Sequence, residues 1–352
     1  MARETPTDYW NDSCDVDELA YAIARGATGA TSNPSIVMDV LKSDHAYWGP
    51  HLRRLITENP AWSEVELGWA MIEAMAARGA GVLRPVFDEH GGLKGRQSVQ
   101  VNPANYRDAD RMADQALRLH GLAPNIHVKF PATFAGMAGM ERATEQGVSV
   151  VSTVSFSVPQ AIAAAEAIER GLRRRESAGH DTSKMVPIVV LMIGRLDDWL
   201  KVVVEREGLA VDPAVPNWAG IAVFKRTYEI FVERGYRSGL LAAATRHPLH
   251  WTELVGGKVA MTLTHQWQVR FNESGIVPVP RMDVPVERAI LDQLQRHFPD
   301  FVRAYEPDGL TQAEFDTFGP TVRTLRAFIG SYHDLLGAVR DRMLPNPDLR
   351  PA

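Results

Sequence analysis

The chain has 352 residues, 45% of them hydrophobic, with a formal net charge of -5. That is enough apolar matter for one large core or two modest ones, and the mild acidity excludes nucleic acid and anionic membrane surfaces as main partners. The single cysteine, Cys14, excludes an intrachain disulfide, and no apolar run is long enough to read as a membrane span.

Residues 8–13 predict a first strand and 16–25 a first helix. A second strand is expected at 29–33 and a helix at 63–78. Then come a third strand at 97–102, a helix at 107–119, a fourth strand at 126–131 and a helix at 136–146. A fifth strand at 148–156 precedes a helix at 159–177. The last three strands are expected at 187–193, 238–244 and 258–263, with a helix at 219–234 among them. Strands alternating with helices pair in parallel, and eight of them suit a closed barrel better than an open sheet. The rival fold, a doubly wound nucleotide-binding sheet, carries a Gly-rich turn after its first strand. This chain has neither GxGxxG nor a P-loop.

The expectation is therefore one α/β domain over 1–352. It comprises a (β/α)8 TIM barrel over about 8–265 and a C-terminal helical extension over about 285–345. The last helix is marked by Pro320 near its start and by Val322, Leu325, Ile329, Tyr332, Leu336 and Val339, a stripe expected to pack on the barrel. Arg173, Arg174 and Arg175, followed by Glu176, read as a solvated helix face. The N-terminal six residues lack an apolar signal core, so a soluble, cytoplasmic protein is expected.

Alternate side chains of a barrel strand face the lumen. In the fourth strand Ile126, Val128 and Phe130 suit the helix layer, which turns His127 and Lys129 inward. A lysine inside a barrel is costly without a partner or a task, and burial makes its amine a better nucleophile. The same rule turns Ser98, Gln100 and Asn102 inward from the third strand, and Val151, Thr153 and Ser155 from the fifth. With Asp12 and Asn33 ending the first two strands, the constellation Asp12, Asn33, Gln100, Lys129 and Thr153 forms at the C-terminal end of the barrel, where barrel active sites lie. His247 and His250, three apart, lack the further ligands that a metal site needs and read as polar residues starting a helix. Cys14 reads as an inert thiol, and Trp199, Trp218, Trp251 and Trp267 as packing residues. No metal or cofactor is expected.

The segment Gly29-Ala30-Thr31-Ser32-Asn33-Pro34-Ser35-Ile36-Val37 resembles the second-strand signature of the transaldolase family of Schiff-base aldolases. The segment from His127 to Thr133 (HVKFPAT) resembles that family's lysine strand, and Thr153 to Gln160 (TVSFSVPQ) its fifth strand. Gly194-Arg195-Leu196-Asp197-Asp198-Trp199 resembles the segment after its sixth strand, so the resemblance runs from about 8 to 265. It implies that Lys129 forms a Schiff base with a sugar-phosphate carbonyl and that Asp12 handles protons at the donor hydroxyl. It further implies that Thr153 holds a catalytic water, that Asn33 binds the donor and that Arg195 and Arg246 grip a phosphate.

The chain departs from the family pattern at four places. Gln100 stands where transaldolases carry a glutamate, as in the related fructose-6-phosphate aldolases. Those enzymes pair it with a tyrosine whose place here is held by Met192. Val151 replaces a donor-binding asparagine and Val190 a donor-binding serine. The expected function is therefore carbon–carbon bond making or breaking on a phosphorylated sugar, with altered donor choice. A non-catalytic sugar-phosphate-binding relative is the alternative. The expected partner is a small-molecule sugar phosphate, with no nucleic acid and no membrane; a homo-oligomer stays open.

Overall fold

The computed structural model describes residues 1–348. Eight strands close into a barrel in sequence order, every neighbouring pair parallel. They are β1 (Asp8–Asn11), β2 (Gly29–Ala30), β3 (Arg96–Gln100), β4 (Ile126–Pro131), β5 (Val150–Thr153), β6 (Ile188–Leu191), β7 (Gly239–Ala242) and β8 (Ala260–Leu263). All eight lie where the sequence places them, and β4 matches residue for residue. The rest are shorter: all but β8 leave the ladder early at the C-terminal end, where the site is built, and β8 is shorter only at its start.

The helices in chain order are α1 (Val16–Ala24), α2 (Pro34–Ser43), α3 (His45–Glu58), α4 (Glu64–Glu89), α5 (Ala109–His120), α6 (Phe134–Glu145) and α7 (Val158–Ser177). There follow α8 (Ile193–Glu207), α9 (Ala219–Arg234), α10 (Leu249–Thr252) and α11 (His265–Glu273). The extension adds α12 (Arg288–His297), α13 (Pro299–Tyr305) and α14 (Gly319–Met343). Local chemistry starts several of them. Asp15, Thr133 and Ser157 accept from the orphan N–H groups of α1, α6 and α7, and Ser63 with Glu66 closes a capping box on α4. Gly208 and Gly235 end α8 and α9 in the left-handed region. No described helix is long and apolar enough to cross a membrane.

Low in the lumen, Trp10 of β1 stacks on His127 of β4, ring centroids 5.8 Å apart. Gly29 on β2 makes room for this, since a Cβ there would lie 2.7 Å from the indole. Gln97 points the other way, its side chain packed on Gly79 of α4. That fixes the alternation of β3, with Ser98 and Gln100 facing the lumen as expected. Asn102 departs from this reading: it lies past the end of β3, and its side chain caps the short 3₁₀ turn that follows. The alternation of β5 also stops at Thr153, because Val154 takes φ 53°. Ser155 is consequently off the strand.

The stripe on α14 is rotated from its expected position. Thr324, Leu325, Phe328, Tyr332, Leu335, Leu336 and Val339 are buried, whereas Val322 is 38% exposed and Ile329 only half-buried. This helix packs on α2 and α4, with Trp69 Nε1 donating to the Tyr332 hydroxyl at 3.1 Å and the hydroxyls of Ser35 and Ser331 2.7 Å apart. Near its start, Gln160 of α7 donates to Thr321 at 3.2 Å. The tail thus runs across the rim where the strands end.

Candidate active site

The strand ends and the turns after them line one cleft. Asp12, Thr31, Asn33, Lys129, Thr153 and Thr262 form its polar arc; Val190, Met192, Ala243 and Ala244 form an apolar arc at and just past the ends of β6 and β7; Arg195 and Arg246 stand on the same side. Most of the expected constellation is therefore brought together.

Lys129 is 5% exposed, and its Nζ donates to the Ser32 carbonyl at 3.1 Å. Burial lowers its pKa to about 8; the neighbouring Asp12 opposes the shift and Arg195 adds to it. The amine therefore holds a substantial neutral fraction near physiological pH, the state a nucleophile needs.

Asp12 follows β1 directly. Thr31 donates to its Oδ1 at 2.5 Å, and the hydroxyls of Thr31 and Thr262 are 2.5 Å apart. A hydroxyl has one proton, so Thr31, spending its own on Asp12, accepts from Thr262. The chain Thr262→Thr31→Asp12 fixes one carboxylate oxygen. Thr31 joins the expected site residues here, and its place inside the second-strand signature is the signal for it. Thr262 follows from the alternation of the eighth strand.

Asn33 serves two ends at once. Its Oδ1 accepts from the N–H groups of Ser35 and Ile36, capping α2 ahead of Pro34. Its amide nitrogen is left to donate at the cleft it lines. The Thr153 hydroxyl points at the Met192 thioether, 3.8 Å away. Val151 and Gln100 lie one step deeper, both paired in register with Lys129. Val151 is fully buried, and neither atom of the Gln100 amide finds a partner among the described residues. Cys14 is buried, its thiol pushed up to about 12 by burial, as an inert thiol should be.

At the mouth, Arg195 has no carboxylate partner among the described residues. Burial and the neighbouring Arg246 hold it below its ordinary pKa, and its guanidinium lies 5.2 Å from the Phe328 ring centroid of α14. Arg246 pairs with Asp198 at 2.9 Å. Sequence reasoning passed over Asp198 and had no signal for Phe328, which arrives only through the packing of α14. The turns carrying the two arginines touch: the Ala244 carbonyl occupies the space that a Cβ on Gly194 would fill, and Ala244 itself takes φ 67°. His250 lies at the start of the short helix α10, as the sequence suggests, but it is buried and hydrogen-bonded to the buried Asp197 at 2.8 Å.

A barrel with an inward lysine beside a carboxylate, and two arginines at the mouth, fits the class of enzymes that act on small phosphorylated carbonyl compounds. The model of the Transaldolase/Fructose-6-phosphate aldolase family matches residues 9–309, and the chain belongs to that family of enzymes. It is 26% identical over 340 residues to a transaldolase of Parafrankia sp., covering 88% of this chain and 90% of that one. It is 30% identical over 295 residues to a transaldolase of Thiobacillus denitrificans, covering 77% and 81%. A transaldolase of Thermobifida fusca is 36% identical over 183 residues, about half of each chain.

Proposed function

We propose that the chain makes or breaks a carbon–carbon bond of a phosphorylated sugar through a Schiff base on Lys129, with donor preference shifted away from the dihydroxyacetone unit of ordinary transaldolases. The observation that carries this reading is the buried Lys129 amine, lowered to about 8 and facing a cleft that also holds Asp12. The neutral amine adds to the donor carbonyl carbon, and the carbonyl oxygen leaves as water, giving an iminium. Asp12 takes the proton from the hydroxyl beyond the bond to be broken. That oxygen becomes an aldehyde carbonyl, and the electrons of the carbon–carbon bond move into the iminium to give an enamine. Addition of the enamine to an acceptor aldehyde reverses these steps, and water held at Thr153 hydrolyses the adduct. Asn33 donates to the donor from its free amide nitrogen. Arg195 and Arg246 hold the phosphate, since planar guanidiniums match its oxygens in pairs.

The shifted donor preference rests on Val151, Val190 and Met192. A donor hydroxyl buried against an isopropyl group loses its partner, at about 1–3 kcal/mol each. The test is borohydride trapping with a panel of keto and aldehyde sugars, read by intact mass. A stable adduct on Lys129 with some sugars and weak trapping with fructose 6-phosphate is the expected result. No adduct with any sugar would instead favour a chain that binds sugar phosphates without turning them over.

A further inference from the structure

Behind Arg246 lies a buried cluster that the proposed chemistry does not use. Asp197 is fully buried on α8. Its Oδ1 accepts the Gly220 N–H at 2.9 Å, and its Oδ2 lies 3.2 Å from His247 Nε2 and 2.8 Å from His250 Nε2. On the other side of the His250 ring, Nδ1 is 3.2 Å from the backbone nitrogen of Arg246. A backbone N–H can only donate, so Nδ1 is the acceptor, and the ring proton of neutral His250 sits on Nε2, donating to Asp197. Burial holds His250 below its ordinary pKa, which keeps the ring neutral.

This tautomer separates two uses of the cluster. Asp197, His247 and His250 bring ligand atoms within 4.8 Å of one another, as a divalent cation would require. A metal needs the lone pair of Nε2, where the proton resides. Moving that proton to Nδ1 would set two donors face to face at Arg246. The hydrogen-bond geometry suits holding a loop, not a metal. The loop needs holding: Ala244, two residues before Arg246, takes φ 67°, and such backbone persists only where its surroundings over-determine it.

We propose that Asp197 and His250 are positioning residues that fix the backbone of Arg246, so that the phosphate-binding guanidinium is presented in one place. The adjacent carboxylates of α8 then hold the two ends of one arginine. Asp197 holds the main chain through His250, and Asp198 holds the guanidinium directly. The proposal rests on the reading of Arg195 and Arg246 as the phosphate site.

Two substitutions split the imidazole into its halves. His250→Asn keeps an acceptor near the Nδ1 position for the Arg246 N–H. His250→Gln keeps a donor near the Nε2 position for Asp197 and offers nothing to Arg246. Inorganic phosphate is titrated calorimetrically into the full chain, and trapping of Lys129 by unphosphorylated hydroxyacetone, which lacks one of the hydroxyls of dihydroxyacetone, is followed beside it. His250→Gln is expected to weaken phosphate about tenfold while leaving trapping unchanged, and His250→Asn, which keeps the contact to Arg246 but gives up Asp197, to weaken it by about threefold. Equal weakening by both variants, or wild-type affinity in His250→Gln, overturns the relay. Should His250→Gln not fold, Asp197→Asn takes its place: its amide, turned to His250, drives the ring proton to Nδ1 opposite the Arg246 N–H, so about a tenfold loss of phosphate supports the relay and parental affinity overturns it. Arg246→Ala is the control, since parental phosphate affinity there overturns the phosphate site itself.

Discussion

Lys129 spends one of its protons on the Ser32 carbonyl, 3.1 Å away across β3. That bond ties the amine to the turn carrying Asn33, and it is the one hydrogen bond the amine makes among the described residues. The lowered pKa carries a stability cost with a definite pH dependence. The unfolded lysine titrates near 10.5 and the folded one at about 8, so between these values the unfolded chain binds more protons. The penalty is full below pH 8 and fades as pH rises to 10.5. Lys129→Met is therefore expected to stabilise the chain at pH 7 by roughly 1–3 kcal/mol. The gain should shrink across that window, as read from denaturant midpoints at several pH values. The same shift predicts that the trapping rate of the parent chain rises from pH 7 and levels above about 8.

Asp12→Ala should separate two steps. Adduct formation on Lys129 needs only the amine, whereas bond cleavage needs a base at the donor hydroxyl. Turnover is expected to fall about 10²–10⁴-fold while trapping persists. Thr31→Val removes the hydroxyl that fixes Asp12 Oδ1 and should lower turnover in the same direction by a smaller factor. Full turnover in Asp12→Ala would remove that residue from the mechanism.

Much of this arrangement was legible because barrel strands obey a two-residue alternation. Ile126–Pro131 carries three large apolar residues on one face, which left Lys129 nowhere to point but inward. The helix α8 was hidden for the opposite reason. It begins at Ile193 with no side-chain cap and follows an apolar run, so nothing local separates the sixth strand, expected to end at 193, from the helix that starts there. The second strand likewise ends sooner than its apolar and small residues suggest, because Asn33 caps α2 only three residues after Ala30. Phe328 beneath Arg195, and the contact of Ala244 with Gly194, depend on how distant segments meet. No local pattern encodes them.

Arg195→Ala and Arg246→Ala should each weaken phosphorylated substrates more than their unphosphorylated counterparts. Hydrogen bonds to charged groups are worth roughly 1.5–3 kcal/mol, so about ten- to a hundredfold in kcat/KM is expected for each. Arg195 should show the larger effect, because Arg246 already shares its charge with Asp198. Equal losses on both substrate types would mark the arginines as structural.

Gly194→Ala tests the contact between the two arginine-bearing turns. The added methyl would collide with the Ala244 carbonyl and crowd the Arg246 side chain at 2.7 Å, and backbone cannot yield as a flexible side chain does. The expected cost is about 1–3 kcal/mol of stability, together with weaker binding of inorganic phosphate. Unchanged melting temperature and phosphate affinity would show that the turns separate freely.

The last prediction concerns donor choice. Val151 lies in register with Lys129, and Val190 and Met192 line the apolar arc of the same cleft. A dihydroxyacetone unit attached to Lys129 carries hydroxyls that need partners, and these side chains provide no hydroxyl or amide. Transfer from fructose 6-phosphate to erythrose 4-phosphate is therefore expected to be slow or absent in the parent chain. Val151→Asn with Val190→Ser should raise it by restoring hydrogen-bonding side chains, and Gln100→Glu should raise it further by placing an ionisable group beside Lys129. The gain from Gln100→Glu has a physical ceiling. The Thr153 hydroxyl is aimed at the Met192 thioether, a weak acceptor, so a water shared by Thr153 and residue 100 would be held loosely. A coupled assay of the parent chain beside the triple variant decides the matter. Robust turnover by the parent would leave an ordinary transaldolase as the better description. A gain confined to the variant would show that donor selection resides in these side chains.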